Sequence, residues 1–167
     1  ITLEKCNFEF PNLDESNYVI FTSTNGVQHT MSALFDEGKD VRYFSGVKIC
    51  AVGKSTANEL KKFGLIADMV PQTFNGAELA ALFPIADATN SKVICFREKK
   101  VKDTIEVALS EKGYQLVNIV TYENNIEKVD NSTIEKISNA DLIAFSSSST
   151  VTNALKIFGD KIVKNIK

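Results

Sequence analysis

Cysteine and histidine are scarce in this sequence of 167 residues, which has three cysteines and one histidine. Cys6, Cys50 and Cys95 form no Cys-x-x-Cys pair and no cluster with histidine, so the sequence predicts neither a zinc site nor a disulfide framework. Cys50 and Cys95 lie within apolar runs, where a free thiol behaves as a small hydrophobic group. We therefore expect no metal ion, and a protein of the reducing cytoplasm.

With His29 as its single histidine, the sequence is unlike that of a protein with a catalytic triad or a histidine-rich metal site. His29 lies inside a predicted helix and has no other histidine or cysteine near it in the sequence. An ordinary surface histidine is therefore favoured over a catalytic acid or base.

The sequence also lacks a strong excess of positive or negative charge and long hydrophobic runs. Lysine and arginine number 19 against 21 aspartates and glutamates, and a formal net charge of -2 is too weak for phosphate-backbone binding to be expected. No apolar run approaches the roughly 18 to 20 residues of a membrane span, and the first residues lack the pattern of a signal peptide. We expect a soluble protein without a nucleic acid or membrane partner.

Short apolar runs alternate with longer amphipathic segments along the chain. Five runs are continuous enough for strands that are covered on both faces: residues 18–21, 47–52, 93–96, 116–122 and 142–145. Five segments carry apolar residues three and four apart, as helices do: residues 26–35, 55–63, 77–82, 102–112 and 151–158. Glycines that can end a helix follow four of them: Gly38, Gly64, Gly113 and Gly159. The alternation predicts an α/β fold with a parallel sheet and right-handed crossovers.

One internal similarity indicates two related units. The sequence Phe-Thr-Ser-Thr-Asn-Gly-Val at 21–27 aligns with Phe-Ser-Ser-Ser-Ser-Thr-Val at 145–151, and each segment joins a predicted strand to a predicted helix. A polar stretch at 123–131 separates the two units and is suited to a linker. We place a domain boundary there.

Three loops leave the carboxyl end of a predicted strand and enter a helix, at the edge where open α/β sheets bind ligands. They span residues 22–26, 53–56 and 146–150 and are rich in serine and threonine. Hydroxyls and free N–H groups at a helix N-terminus can bind a carboxylate or a phosphate, although serine and threonine there also serve as plain N-caps. The second loop, Gly-Lys-Ser-Thr, lacks the first glycine and spacer of a phosphate loop, which excludes a nucleotide triphosphatase.

Two further features lie at the same predicted edge. A basic cluster of Arg97, Lys99, Lys100 and Lys102 follows a strand and could steer an anionic ligand, but a solvated lysine turn would have the same sequence. Tyr122 ends a strand at the domain boundary, where its phenol could donate a proton or a hydrogen bond to a ligand. Simple aromatic packing at a strand end is the alternative for Tyr122.

Six segments form a recognisable series along nearly the whole chain. They are Ile-Phe-Thr-Ser-Thr-Asn-Gly-Val at 20–27, Ala-Val-Gly-Lys-Ser-Thr-Ala at 51–57, Asp-Met-Val-Pro at 68–71, Ile-Cys-Phe-Arg at 94–97, Val-Thr-Tyr-Glu at 120–123 and Asp-Leu-Ile-Ala-Phe-Ser at 141–146. No single motif is specific, but the order and spacing of the series resemble those of the HemD-like uroporphyrinogen-III synthase family.

The resemblance implies two α/β domains of related parallel sheets joined by strand linkers, with the second domain inserted into the first. By that scheme residues 11–121 form the inserted domain, residues 1–10 and 122–131 the linkers, and residues 132–167 a returning part of the outer domain. The family's opening strand and helix and its second Gly-x-x-Thr-Ala unit are absent from this sequence, so we expect an incomplete outer domain. A segment as short as 132–167 could scarcely bury its own core, and we expect poor order there or reliance on a neighbouring chain.

For activity, the resemblance implies a lyase of heme biosynthesis that cyclises the linear tetrapyrrole hydroxymethylbilane, inverts its ring D and yields uroporphyrinogen III. The substrate is a small polycarboxylate, and the reaction requires no metal or organic cofactor. The expected substrate-binding residues are Thr22, Ser23, Thr24, Thr56, Arg97, Lys102, Ser146 and Ser147. The family's tyrosine corresponds to Tyr122, which is expected to hydrogen-bond the departing hydroxyl or a pyrrole.

A small-molecule binding module of another class, such as a sugar-phosphate isomerase-like domain, is the alternative. Such a module would bind a small anion through one Ser/Thr loop without this chemistry. A receiver-like signalling domain is disfavoured, because the first strand lacks the acidic cluster of a magnesium site. The sequence gives no indication of the oligomeric state, and a monomer is the starting expectation.

Overall fold

A five-stranded sheet organises the chain in the computed structural model, which describes residues 2–13, 18–73, 75–87, 92–99, 104–125, 129–145 and 148–159. The strands are β1 (Thr2–Lys5), β2 (Tyr18–Phe21), β3 (Lys48–Ala51), β4 (Lys92–Glu98) and β5 (Gln115–Asn125). Their order in the sheet is β1-β5-β4-β2-β3, and the pairs β2–β3, β2–β4 and β4–β5 are parallel. The predicted α/β fold is confirmed.

Helices follow most of the strands. They are α1 (Thr24–Asp36), α2 (Lys54–Lys62), α3 (Gly76–Ala81), α4 (Thr104–Ser110), α5 (Asn131–Ser138) and α6 (Ser148–Phe158), and a short 3-10 helix covers Val41–Phe44. The four predicted stop glycines all have a positive φ, between 60° and 86°, as the left-handed end of a helix requires. In the part of the chain that the structure describes, no helix is long and apolar enough to cross a membrane.

The chain divides into two compact units. One unit is Leu3–Asn124, and the other is Asn125–Lys167 together with Ile1–Thr2. Nearly the whole sheet and helices α1 to α4 belong to the first unit, whereas α5 and α6 belong to the second. The finer domain scheme, with linkers at 1–10 and 122–131, stays a prediction.

The predicted strand at 142–145 is wrong. The backbone there does not adopt strand structure, and no strand among the described residues pairs with it. Leu142 is 81% exposed and Phe145 is 39% exposed, so the run lacks the apolar cover as well as the hydrogen-bonding neighbour of a buried strand. An apolar run alone does not show whether a strand has a pairing partner.

Helix α5 was missed because its sequence, Asn-Ser-Thr-Ile-Glu-Lys-Ile-Ser, contains few apolar residues. Its start is nevertheless marked by a capping residue. The carboxylate of Asp130 accepts a hydrogen bond from the N–H of Thr133 at 2.7 Å and another from the hydroxyl of Ser132 at 2.9 Å. An aspartate before a short polar segment was therefore the signal that could have found this helix.

Alternating side chains along the strands build two core layers in the larger unit. On one face, Phe21 and Phe96 stack with ring centroids 5.4 Å apart and pack with α1 and α2. On the other face, Ile20 and Cys95 pack with α3 and α4. Each large apolar side chain that is fully buried contributes about 1.5–3 kcal/mol. The strands β2, β3 and β4 are thus covered on both faces, as their continuous apolar runs predicted.

Two cysteines belong to the buried core. Cys50 and Cys95 are free and fully buried, and burial raises the pKa of both thiols, that of Cys95 to about 12. Neither forms a thiolate near neutral pH, so both act as packing groups rather than nucleophiles.

Gly76→Ala tests the close packing of α3 on α4. A Cβ at Gly76 would lie 2.9 Å from the Cβ of Ile105, which is 4% exposed and cannot move aside without disturbing the core. We expect the substitution to lower the free energy of unfolding by about 1–3 kcal/mol, measured by urea denaturation. The control Ala77→Gly, at an exposed position of the same helix, should cost no more than about 1 kcal/mol. Unchanged stability of Gly76→Ala would contradict this packing.

Candidate functional site

Helix α1 begins directly after β2, and its first turn forms one side of the candidate site. Ser23 is the N-cap, and its Oγ accepts a hydrogen bond from the N–H of Gly26 at 3.0 Å. A Cβ on Gly26 would lie 3.2 Å from this Oγ and 3.4 Å from the carbonyl oxygen of Phe96. Glycine therefore lets the helix begin close against the end of β4. The loop at 22–26 forms a capped helix N-terminus at the carboxyl edge of the sheet.

The phenol of Tyr122 meets this helix N-terminus. Its hydroxyl lies 3.0 Å from Ser23 Oγ, although 99 positions separate the two residues in sequence, and either hydroxyl can donate. The side chain of Asn25 also lies beside the phenol. Tyr122 is only 3% exposed, so the hydrogen bond with Ser23 satisfies a hydroxyl that is otherwise removed from water.

A register shift in the sheet turns Tyr122 toward α1. Arg97 of β4 pairs with Val120 of β5, but the next residue, Glu98, pairs with Tyr122, so Thr121 is an extra residue in β5. Side chains alternate between the faces of a strand, and one extra residue moves the following side chain to the other face. This bulge brings Tyr122 to the face of the sheet that α1 covers.

The surroundings of Tyr122 keep its hydroxyl protonated. Burial raises the pKa of Tyr122, and the negative charge of Glu98 raises it further. The hydrogen bond with Ser23 and the neighbouring amide of Asn25 act in the opposite direction, but the net effect is a raised pKa. The phenol therefore keeps its proton at neutral pH and remains a hydrogen-bond donor.

The ring of His29 covers the ring of Tyr122. The two centroids lie 5.1 Å apart and the ring planes are inclined by only 15°, which is a stacked arrangement. Burial, together with the positive charge of Lys5, lowers the pKa of His29, so its imidazole is mainly neutral at pH 7. The sequence analysis missed this contact, because nothing local to His29 shows that a strand end from far along the chain lies against it.

Arg97 and Thr56 occupy buried positions. Arg97 is 4% exposed, and its Nη1 donates to Oδ1 of Asn118 at 3.0 Å. Nδ2 of Asn118 donates in turn to Oε2 of Glu106, on α4, at 3.4 Å, so Arg97 and Tyr122 lie on opposite faces of the sheet. Thr56, in the first turn of α2, is 3% exposed. The expected substrate contacts of Arg97 and Thr56 stay predictions.

The remaining residues that were expected to bind substrate lie in three parts of the chain. Thr22 and Thr24 flank Ser23 and are partly exposed. In the basic cluster, Lys99 forms an ion pair with Glu123, with Nζ 2.8 Å from Oε2. Three expected residues lie outside the described residues: Lys102, Ser146 and Ser147. Within the described ranges, no group of three or more His, Cys, Asp or Glu side chains could hold a metal ion.

Fold and site together define an α/β protein whose parallel sheet presents, at its carboxyl edge, a helix N-terminus and a protonated phenol. The family model for uroporphyrinogen-III synthase HemD matches residues 3–167. This chain therefore belongs to the HemD uroporphyrinogen-III synthase family, as its sequence motifs indicated.

Individual relatives agree with the family. The chain is 32% identical over 151 residues to a porphyrin biosynthesis protein HemD of Ruminiclostridium josui, a match covering 89% of this chain and 30% of that protein. It is 26% identical over 156 residues to a uroporphyrinogen-III synthase of Chlorobaculum parvum, covering 90% of this chain and 63% of that protein. The chain thus spans less than two thirds of the length of either curated relative.

A solved structure shows the same fold. The crystal structure of a mutant uroporphyrinogen III synthase from Thermus thermophilus matches with a TM-score of 0.66 at 21% identity. The match covers 89% of this chain and 60% of that one.

Ser23→Ala and Tyr122→Phe test the hydrogen bond that joins α1 to β5. Ser23→Ala removes both the N-cap and the partner of the phenol, and should lower the free energy of unfolding by about 1–3 kcal/mol. Tyr122→Phe leaves the cap in place and should cost about 0.5–1.5 kcal/mol. Because the two hydroxyls are in contact, the double variant should lose less stability in urea denaturation than the sum of the single losses. Strictly additive losses would show that the bond contributes nothing.

Proposed function

We propose that the chain acts as a uroporphyrinogen-III synthase, a cyclising lyase that converts hydroxymethylbilane into uroporphyrinogen III and water. The proposal is supported by the chain's membership of the HemD family. The observation that carries it is the Tyr122 hydroxyl, protonated and 3.0 Å from Ser23 Oγ at the start of α1. This pair places a hydrogen-bond donor beside a helix N-terminus.

The helix N-terminus suits a polycarboxylate substrate. The first turn of a helix offers orphan N–H groups and a partial positive charge, so it can hold a carboxylate without a strongly basic protein. The chain itself has a formal net charge of -2. We assign substrate carboxylates to the loop of Thr22, Ser23 and Thr24, and propose equivalent contacts for Ser146 and Ser147.

The phenol of Tyr122 would assist the first chemical step. It donates a hydrogen bond to the terminal hydroxyl of hydroxymethylbilane while the bond from the terminal carbon to that oxygen breaks. The leaving hydroxyl takes the proton that the pyrrole N–H loses, so water departs and an electrophilic azafulvene remains. The substituted carbon of ring D attacks this centre to form a spirocyclic pyrrolenine, which fragments and closes again with ring D inverted. No metal or organic cofactor takes part, and we place the reaction in the cytoplasm.

Positioning supplies most of the proposed catalysis. Without an enzyme, hydroxymethylbilane closes without inversion to isomer I, so the protein must hold one conformer of a flexible chain. Tyr122 is then a helpful donor rather than an indispensable one.

The porphyrin isomer ratio tests the proposed reaction. Hydroxymethylbilane is incubated with the folded chain and, because the chain spans 30% and 63% of the two curated relatives described above, with the complete product of its gene. The products are oxidised to porphyrins and separated by chromatography. We expect isomer III in excess over isomer I. Isomer I alone from folded complete protein would contradict the proposal. A phosphosugar that then raised the melting temperature would favour the small-anion binding module.

Tyr122→Phe tests the assigned donor. Loss of one hydrogen bond to a developing charge should lower kcat by about tenfold with little change in KM. The control Tyr18→Phe removes a phenol from the opposite core layer and should leave kcat unchanged. Equal turnover by Tyr122→Phe and the unsubstituted protein would remove Tyr122 from the mechanism.

A further inference from the structure

Helix α1 holds the Tyr122 side chain from three positions. Ser23, the N-cap, hydrogen-bonds the hydroxyl, Asn25 lies beside that hydroxyl, and His29 stacks on the ring. The hydrogen bond with Ser23 fixes where the oxygen lies, but a bond at one atom still allows the ring to turn about its own axis and to tilt. A flat side chain in parallel contact with the ring removes that freedom.

The backbone of Tyr122 stays paired with β4, since its carbonyl accepts a hydrogen bond from the N–H of Lys99 at 3.1 Å, so the remaining freedom is that of its side chain. The bulge at Thr121 interrupts the regular pairing with β4 immediately before Tyr122. The neighbouring α1 residues Val27 and Met31 are 0% exposed and belong to the apolar core, whereas His29 is half-buried and makes its ring contact with Tyr122. His29 is therefore not needed to fill the core layer beneath α1.

We propose that His29 is a positioning residue for the reaction proposed above: its imidazole holds the Tyr122 ring flat, so that the phenol hydroxyl stays beside the N-terminus of α1. The catalytic part of this inference rests on the proposed function, whereas the positioning itself rests on the stacked rings. Since the role needs a flat ring and no proton transfer, phenylalanine should replace histidine and alanine should not.

Fluorine NMR tests the positioning without any activity assay. The chain has four tyrosines, so labelling with 3-fluorotyrosine gives a small set of resonances, and Tyr122→Phe identifies that of Tyr122. His29→Ala and His29→Gln should shift or broaden this resonance, because the neighbouring ring is lost, while His29→Phe should keep it sharp. Ser32→Ala, at an exposed position of α1, should change nothing. An unmoved Tyr122 resonance in both ring-deleting variants would overturn the proposal.

Kinetics on the complete gene product tests the catalytic consequence. His29→Ala should lower kcat for isomer III about two- to tenfold with KM nearly unchanged, and His29→Phe should restore most of the loss. A normal kcat in His29→Ala, or no rescue by His29→Phe, would overturn the role of His29 in the reaction. If the unsubstituted protein formed no isomer III, the proposed function would fail, and the fluorine spectra would still decide whether His29 positions the phenol.

Discussion

Burial of the central strands on both faces is the constraint on which the larger unit depends. β2 lies between β3 and β4, and Val19, Ile20 and Phe21 are 0% exposed. A strand of this kind needs helices above and below it, and the crossovers that supply those helices leave parallel strands ending at the same edge. The candidate site at that edge therefore follows from the way the sheet is buried.

The close approach of Gly26 to the backbone of Phe96 sets the geometry of the site. Gly26 has no side chain, so α1 can begin against the carbonyl end of Phe96, and this brings Ser23 within hydrogen-bonding distance of Tyr122. Ser23 then serves two purposes, as the cap of α1 and as the partner of the phenol. A change at Ser23 therefore affects stability and the proposed chemistry together, whereas a change at Tyr122 leaves the cap intact.

The parts of the site that could be predicted are those that depend on near neighbours in sequence. Serine and threonine between a strand end and a helix are candidates for the cap, and the loop at 22–26, which was predicted on that ground, contains the cap Ser23. The apolar run at 142–145 satisfied an equally local rule for strands, yet Leu142 is exposed, because a strand also needs a partner that no local rule supplies. The contact of His29 with Tyr122 was missed for the same reason, since it joins α1 to a strand far along the chain.

The sequence by itself determined the alternation of strands and helices in the larger unit, the glycine ends of the helices and the presence of a cap before α1. Each depends on the conformational preferences of residues within a turn or two of one another. Only the tertiary structure decided which face of the sheet Tyr122 occupies. Strict alternation along β5 would have placed it on the side of Arg97, but the extra residue Thr121 moves it to the side of α1. Register is a property of two paired strands, so it cannot be predicted from the sequence of either strand alone.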